Sequence, residues 1–202
     1  FNTNHSSFFA TAPADNLNAE KFPAADGWET WHNNRSIRVV EQMPAAQLDY
    51  TTFKQIKFDK QLPATLRYPH NIDTLFLLNE TDYPLYAPLI KNLKAWDKQG
   101  TADSKGAAVF LLSYLHLSKK LAGQSPRSIT KEEAVETYAH VYEYMMKHFS
   151  TTDLALGDIQ KLVRGDKEWP LWGFPDLLSP QWTSPYKYGK LKSTGGDGLI
   201  MF

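Results

Sequence analysis

The chain has 202 residues, of which 42% are hydrophobic and 13% aromatic, a composition typical of one globular domain. The 22 Lys and Arg residues balance the 22 Asp and Glu residues, which excludes the strongly basic surface of a nucleic-acid-binding protein. No apolar run reaches the roughly 18 residues of a membrane-spanning helix. The absence of cysteine excludes disulfides, thiolate catalysis and cysteine-ligated zinc. We therefore expect a soluble globular protein with no nucleic-acid partner and no membrane span.

The first half of the chain predicts a loop followed by two helices. Residues 5–27 are rich in Ser, Ala, Asn, Pro and Asp, which indicates an irregular surface loop. Apolar spacing then predicts one helix over 30–42 and another over 48–58. Residues 62–72 contain two prolines and predict a connector.

Three further helices have clearer apolar spacing. We predict the first over 86–96, the second from a cap at Asp103, and the third from a capping box that begins at Thr130. Trp96 is expected to be buried at the end of its helix, and Asp97 is expected to take part in the turn that follows.

The last part of the chain predicts a return to sheet structure. A short helix over 158–164 is expected to stop at Gly165. A Trp- and Pro-rich coil follows, and a final apolar strand is predicted after Gly198.

These elements define three parts of one domain and an α+β fold class. Residues 1–29 are a strand-edge and loop segment, residues 30–165 are a helical region, and residues 166–202 are a coil that returns to the sheet. We expect a helical insertion in a sheet-based fold, with the two chain ends meeting in a sheet or at its edge.

An N-x-N segment at the start of the chain is a candidate catalytic feature. The side-chain amides of Asn2 and Asn4, if they lie at a strand edge, can donate hydrogen bonds to a developing oxyanion, and such a donor contributes about 3 kcal/mol to a transition state. The alternative is a polar turn in which each Asn bonds its own backbone. The six histidines are scattered and indicate no metal site.

Several segments follow one another in an order known from one family of hydrolases. An N-x-N segment opens the series, an N-R-x-x-R-x-x-E helix follows, and a W-D pair precedes D-S-x-G-A. The segments lie at residues 2–4, 33–41, 96–97, 103–108, 162–166, 173–176 and 196–198. Their order and spacing resemble the penicillin acylase family of N-terminal-nucleophile hydrolases, and the match is to an internal piece of the β subunit.

The resemblance implies a four-layer αββα amide hydrolase that cleaves its own precursor and uses an N-terminal Ser as nucleophile. We expect the chain to be cut at both ends, to lack that nucleophile, and to be inactive alone. Its expected partners are the α subunit, the remainder of the β subunit and a small N-acylated amide substrate. The family also implies a periplasmic or secreted protein.

The resemblance assigns four site residues. Asn4 is expected to donate the oxyanion hydrogen bond, and Asn2 and Arg35 are expected to bind substrate. Asn2 is also the substitute oxyanion donor. Asp15 matches the spacing of an Asp that ligates a structural Ca²⁺ in some relatives, while catalysis requires no cofactor.

Two other interpretations stay open. In one, the chain is a noncatalytic helical binding module. Five tryptophans would then form a ligand or partner surface, namely Trp28, Trp31, Trp169, Trp172 and Trp182. Tryptophans at this density are more often part of the core, so we expect most of them to be buried. In the other, the chain belongs to an inactive member of the family.

Overall fold

A series of helices precedes a small sheet in the computed structural model, which describes residues 6–11, 13–43 and 47–196. Within these residues there are seven α-helices and four β-strands, so the chain has the expected α+β class. The helices are α1 (Asn34–Gln42), α2 (Tyr50–Lys57), α3 (Thr74–Leu77), α4 (Ala87–Lys94), α5 (Lys105–Lys120), α6 (Lys131–Phe149) and α7 (Leu156–Ile159). The strands are β1 (Gln160–Arg164), β2 (Lys167–Pro170), β3 (Gln181–Pro185) and β4 (Leu191–Gly196).

The segment before α1 is irregular, as predicted. It contains four short 3₁₀ turns, at Ser7–Phe9, Pro13–Asp15, Ala19–Lys21 and Ala24–Asp26. No strand occurs among its described residues. The strand edge predicted at the N-x-N segment lies outside the described residues.

The predicted starts of α5 and α6 are close to the observed ones. Thr130 begins α6 with a complete capping box, because its side chain accepts from the Glu133 N–H and the Glu133 carboxylate accepts from the Thr130 N–H at 2.9 Å. The prediction of Asp103 as the cap of α5 was wrong. The cap is Ser104, whose Oγ accepts from the Ala107 N–H at 3.1 Å.

Removing the Thr130 cap is expected to destabilise the protein. Thr130→Ala leaves an N–H at the start of α6 without its partner, which typically costs about 1 kcal/mol. Urea unfolding at pH 7 measures this cost, with Thr65→Ala in an exposed turn as the control. Equal unfolding midpoints for the two variants would contradict the role of the capping box.

Helix α5 is the centre of the core and packs against α4, α6 and α7. Its apolar residues are buried almost all round, which fits a helix enclosed by others. Trp96 is 8% exposed, as predicted, and its ring lies 4.7 Å from that of Phe110. Asp97 does belong to the turn after α4, because its Oδ1 accepts from the Gln99 N–H at 2.9 Å.

Gly106 explains why a W-D pair and a D-S-x-G-A segment occur together. A Cβ built on Gly106 would lie 2.3 Å from Trp96 Cβ and 2.8 Å from the backbone oxygen of Asn92. Only glycine therefore lets α5 approach the end of α4 this closely. The W-D pair and the D-S-x-G-A segment therefore form a packing motif.

The prediction of a helix over 158–164 was wrong. Helix α7 ends at Ile159, and the following five residues form β1. Strands β1 and β2 form an antiparallel hairpin in which Arg164 pairs with Lys167. Gly165 has a φ of 60° in the two-residue turn between them, so the glycine that resembled a helix cap closes a hairpin.

The prediction of coil after residue 165 was also wrong, because this segment contains three strands. The sheet order is β2-β1-β4-β3, with β1 parallel to β4 and the other two pairs antiparallel. Of the four described strands, only β2 and β3 contain a proline, and both are edge strands, where a missing N–H is tolerated. The apolar strand predicted after Gly198 lies outside the described residues.

The predicted helical character of residues 30–165 is confirmed, since their described part contains far more helix than strand, although the sheet begins at Gln160. None of the helices in the described ranges is long and apolar enough to cross a lipid bilayer.

Candidate functional site

The start of α1 and the loop before β3 are joined by a partly buried ion pair. Arg35 Nε donates to Asp176 Oδ1 at 3.0 Å, and the two side chains are 19% and 17% exposed. The partners are 141 residues apart in sequence. Asp176 thus positions Arg35, which was predicted to bind substrate. Asp176 itself was not predicted as a site residue.

Asn34 extends this pair into a network. Asp176 Oδ2 accepts from the Asn34 backbone N–H at 3.0 Å and from Asn34 Nδ2 at 2.7 Å. The Asn34 side chain also bonds both backbone groups of Arg67, at 2.6 and 2.9 Å. Asn34 is completely buried. It therefore holds three separate parts of the chain in one place.

Asp176 lies in an electrostatically favourable position, but its backbone conformation is strained. Its carboxylate lies at the first N–H of α1, where the helix dipole stabilises negative charge. Its φ of 68° is in the left-handed region, which Asp tolerates better than most residues. Burial nevertheless raises the pKa of Asp176, against the opposing effect of its bonds to Asn34 and Arg35. A strained carboxyl with a perturbed pKa is typical of a functional site.

This network forms one wall of a cleft of about 660 Å³. Trp31, 61% exposed, and Trp182, 53% exposed, also line it. Tyr68 and Tyr114 contribute two further aromatic rings, whose centroids lie 4.9 Å apart. The cleft therefore combines apolar aromatic surface with the guanidinium groups of Arg35 and Arg67 and the carboxylates of Glu29 and Asp176. This combination suits a ligand that has an apolar body and a polar group.

The Tyr68 hydroxyl is a second unusual group beside the network. Its oxygen is buried and has no hydrogen-bond partner among the described residues. Burial raises the pKa of Tyr68 well above its ordinary value, and the nearby charge of Asp176 raises it further. Tyr68 therefore stays neutral.

A hydrogen-bonded histidine and serine lie next to this cleft but do not form a nucleophile. His32 Nδ1 is 2.9 Å from Ser36 Oγ. Ser36 is completely buried, and its Oγ also donates to the Asn33 carbonyl at 3.0 Å. An attacking hydroxyl must reach substrate, so this pair fixes the start of α1.

A pair of stacked histidines, which the sequence did not predict, lies on the other side of α5. The rings of His116 and His140 are 4.2 Å apart at an angle of 25°. Desolvation lowers the pKa of His116, and the neighbouring His140, Lys120 and Lys119 lower it further, while Glu136 opposes them.

This stack predicts a loss of stability in acid. Because the folded-state pKa of His116 lies below its unfolded value, the unfolded chain binds more protons between the two pKa values. The free energy of unfolding should therefore fall as pH drops below about 6.5. His116→Gln should weaken this dependence in urea unfolding measured from pH 8 to pH 5. An unchanged slope in the variant would show that other groups cause the loss.

The other predicted site residues are not brought to the cleft by the described structure. Asn2 and Asn4 lie outside the described residues. Asp15 is exposed in a 3₁₀ turn. Across 6–11, 13–43 and 47–196 no group of three or more His, Asp or Glu side chains is arranged to hold a metal. The described residues do not fit a calcium site at Asp15, and its role in one stays a prediction.

The expectation that most of the selected tryptophans are buried was wrong. Four of the five are exposed, by 59% for Trp28, 61% for Trp31, 44% for Trp169 and 53% for Trp182. The helical core is filled by other side chains, so these indoles are left on loops and on the edge strands of the sheet.

Comparison with known proteins leaves the family open. No protein-family model matches the chain, and no curated protein matches it.

Proposed function

We propose that the chain is part of an N-acyl amide hydrolase of the penicillin acylase type, and that the cleft beside Arg35 receives part of the substrate. The observation that supports this proposal most directly is the Arg35–Asp176 ion pair. It joins the N-R-x-x-R-x-x-E helix to the G-F-P-D segment, two of the segments on which the family resemblance rests. Their meeting at one cleft supports a shared role.

The chemistry of the cleft suits an acylated amide. Trp31 and Trp182 offer apolar surface to an acyl group, and Arg35 offers hydrogen-bond donors to a carbonyl or carboxylate oxygen. Asp176 and Glu29 offset the charges of Arg35 and Arg67, so the cleft does not require an anionic ligand. In this proposal Asn4 donates to the tetrahedral oxyanion, and the Ser nucleophile comes from the rest of the parent protein.

The sheet would belong to a larger αββα fold. Strands β2 and β3 are the two edges of the described sheet, and every residue of β2 is exposed. Edge strands with free backbone groups can pair with further strands. We propose that the remainder of the β subunit supplies them.

Amide hydrolysis by the complete protein tests this function. The full reading frame that contains the chain is expressed, processing is followed by mass, and release of amine from a panel of N-acyl amides is measured. Asn4→Ala should lower kcat about 10²–10³-fold without unfolding the protein. Full activity in Asn4→Ala would remove that residue from the mechanism, and no hydrolysis by the wild-type protein would contradict the function.

The exposed tryptophans favour one alternative, a noncatalytic binding module. Trp31 and Trp182 share one cleft, so ligand binding there should change their fluorescence. A complete protein that binds N-acyl amides with such a change, yet releases no amine, would support the binding module over the hydrolase.

A further inference from the structure

A second groove lies between α5, α6 and the strands β3 and β4, and we call it the histidine groove because the stacked His116 and His140 line it. Its volume is about 660 Å³, and among the described residues it shares no lining side chain with the cleft beside Arg35. The helix and both strands contribute its apolar side chains, namely Leu112, Leu115, Pro185 and Leu191. Leu112 and Leu191 are buried, so the base of the groove can take up an apolar group.

The polar part of the histidine groove is basic. Lys119 and Lys120 occupy the last turn of α5 and line it together with the two histidines. Lys120 is paired with Glu136, which lies one helical turn before His140 on α6. Lys119 is exposed and makes no ion pair within the described ranges, and no Asp or Glu of those ranges lines the groove. One ammonium group is thus left without a counter-charge beside an apolar surface.

The protonation of His116 reflects the same excess of positive charge. Its pKa is lowered first by desolvation and then by three neighbouring positive charges, those of His140, Lys120 and Lys119. Glu136 opposes these effects without reversing the shift. Tyr144, the other titratable group in the lining, stays neutral because burial raises its pKa. The groove therefore has a positive potential, which a bound anion would reduce.

Two groups in the lining can reach an anion. His140 and Lys119 are both exposed. His116 is not a contact, because its Nε2 is buried and the His140 ring covers it at 4.2 Å. The Tyr144 hydroxyl is already used, since it donates to the Gly189 carbonyl at 2.7 Å. An anionic group would thus lie beside the Lys119 ammonium and the His140 ring.

We infer that the histidine groove binds a small amphiphilic carboxylate. Its apolar tail lies on the leucine side chains at the base, and its carboxylate pairs with Lys119 and accepts a hydrogen bond from the His140 ring. A small inorganic anion would gain nothing from the apolar base, and a cationic ligand would be repelled by Lys119 and Lys120. This inference does not depend on the proposed hydrolase function.

Calorimetric titration of the full chain with three matched probes tests the ligand class. Octanoate has both the tail and the carboxylate, acetate lacks the tail, and octylammonium reverses the charge. We expect octanoate to bind saturably and about tenfold or more tightly than either of the others. Absence of saturable octanoate binding would overturn the inference, and so would equal affinity for acetate or for octylammonium.

Two lysine variants locate the binding site. Lys119→Gln should weaken octanoate binding about fivefold, because it removes an ion pair that stays partly in contact with solvent. Lys91→Gln is the matched control, since Lys91 is exposed in the last turn of α4 and lies outside the groove. It should keep the wild-type affinity, and neither variant should lower Tm. Wild-type affinity in Lys119→Gln, or an equal loss in the control, would overturn the assignment.

The titration of His116 gives an independent measurement of where the carboxylate lies. Octanoate bound beside the histidine pair should raise the pKa of His116, because a nearby anion stabilises the protonated ring. Octanoate should in turn bind more tightly at pH 6 than at pH 8, since the two equilibria are linked. Histidine ring NMR signals recorded from pH 8 to pH 6, with and without octanoate, measure the shift. An unchanged pKa of His116 at saturating octanoate would overturn the placement of the carboxylate.

Discussion

Asp176→Ala is expected to lower the free energy of unfolding by about 3 kcal/mol. Removing one partner of a buried ion pair typically costs about 3–5 kcal/mol, and the lower value applies because both side chains keep some contact with solvent. The substitution removes the acceptor of Arg35 Nε and of the Asn34 backbone N–H, and one of the two acceptors of Asn34 Nδ2. Alanine is also strained at the φ of 68° found here. Urea unfolding at pH 7 measures the loss.

Three further variants, Asp176→Asn, Arg35→Met and their combination, separate charge from hydrogen bonding. Asp176→Asn keeps the shape and tolerates a left-handed backbone, so it should cost less than Asp176→Ala. Arg35→Met combined with Asp176→Asn should cost less than the sum of the single variants, because the two sites interact directly. Strict additivity in this cycle would show that the observed pair contributes no coupling energy.

The contribution of Asp176 to folding stability changes with pH in a definite direction. Because burial raises the folded-state pKa of Asp176, the folded protein binds more protons than the unfolded chain between the two values. This group alone therefore favours folding more strongly as pH falls through the raised pKa towards 3.8, its ordinary value.

Gly106→Ala is expected to cost about 2 kcal/mol. Overpacking a core typically costs about 1–3 kcal/mol, and the upper value applies because the added Cβ would meet the backbone oxygen of Asn92 at 2.8 Å. Alanine favours the helix over glycine by about 1 kcal/mol, which offsets part of this cost. Steric overlap with Trp96 therefore makes the net effect of Gly106→Ala on the free energy of unfolding destabilising.

Gly195→Ala is the matched control for this substitution. The nearest atoms to a Cβ on Gly195 lie 3.9 and 4.0 Å away, at ordinary contact distance. Its effect on the urea midpoint should be small. A stabilising Gly106→Ala would mean that α4 and α5 do not pack as closely as described.

Local sequence signals predicted the helical part of the fold well. The spacing of apolar residues located α4, α5 and α6, and the Thr130 capping box marked the start of α6 because both of its bonds are local. The sheet was less predictable. A glycine after an apolar run fits a helix cap and a hairpin turn equally well, and only the pairing of Arg164 with Lys167 distinguishes them.

The candidate site was only partly predictable, because its geometry depends on distant residues. Arg35 was selected through the family resemblance, and the pairing with Asp176 spans 141 residues, which no local pattern encodes. Tyr68 carries no sequence signal at all. Its importance comes from burial of its hydroxyl without a partner, a property that exists only in the folded chain.

The kinetic effect of Arg35→Met in the complete protein tests the central claim most directly. If the cleft binds part of an N-acyl amide substrate, KM should rise about tenfold or more, while Arg38→Met should leave KM unchanged. Arg38 is a matched control because it lies on the same helix and is paired with Asp59 and Glu41 outside the cleft. Both variants are assayed under conditions in which unfolding measurements show them folded. Equal KM values for wild type, Arg35→Met and Arg38→Met would contradict a substrate-binding role for this cleft.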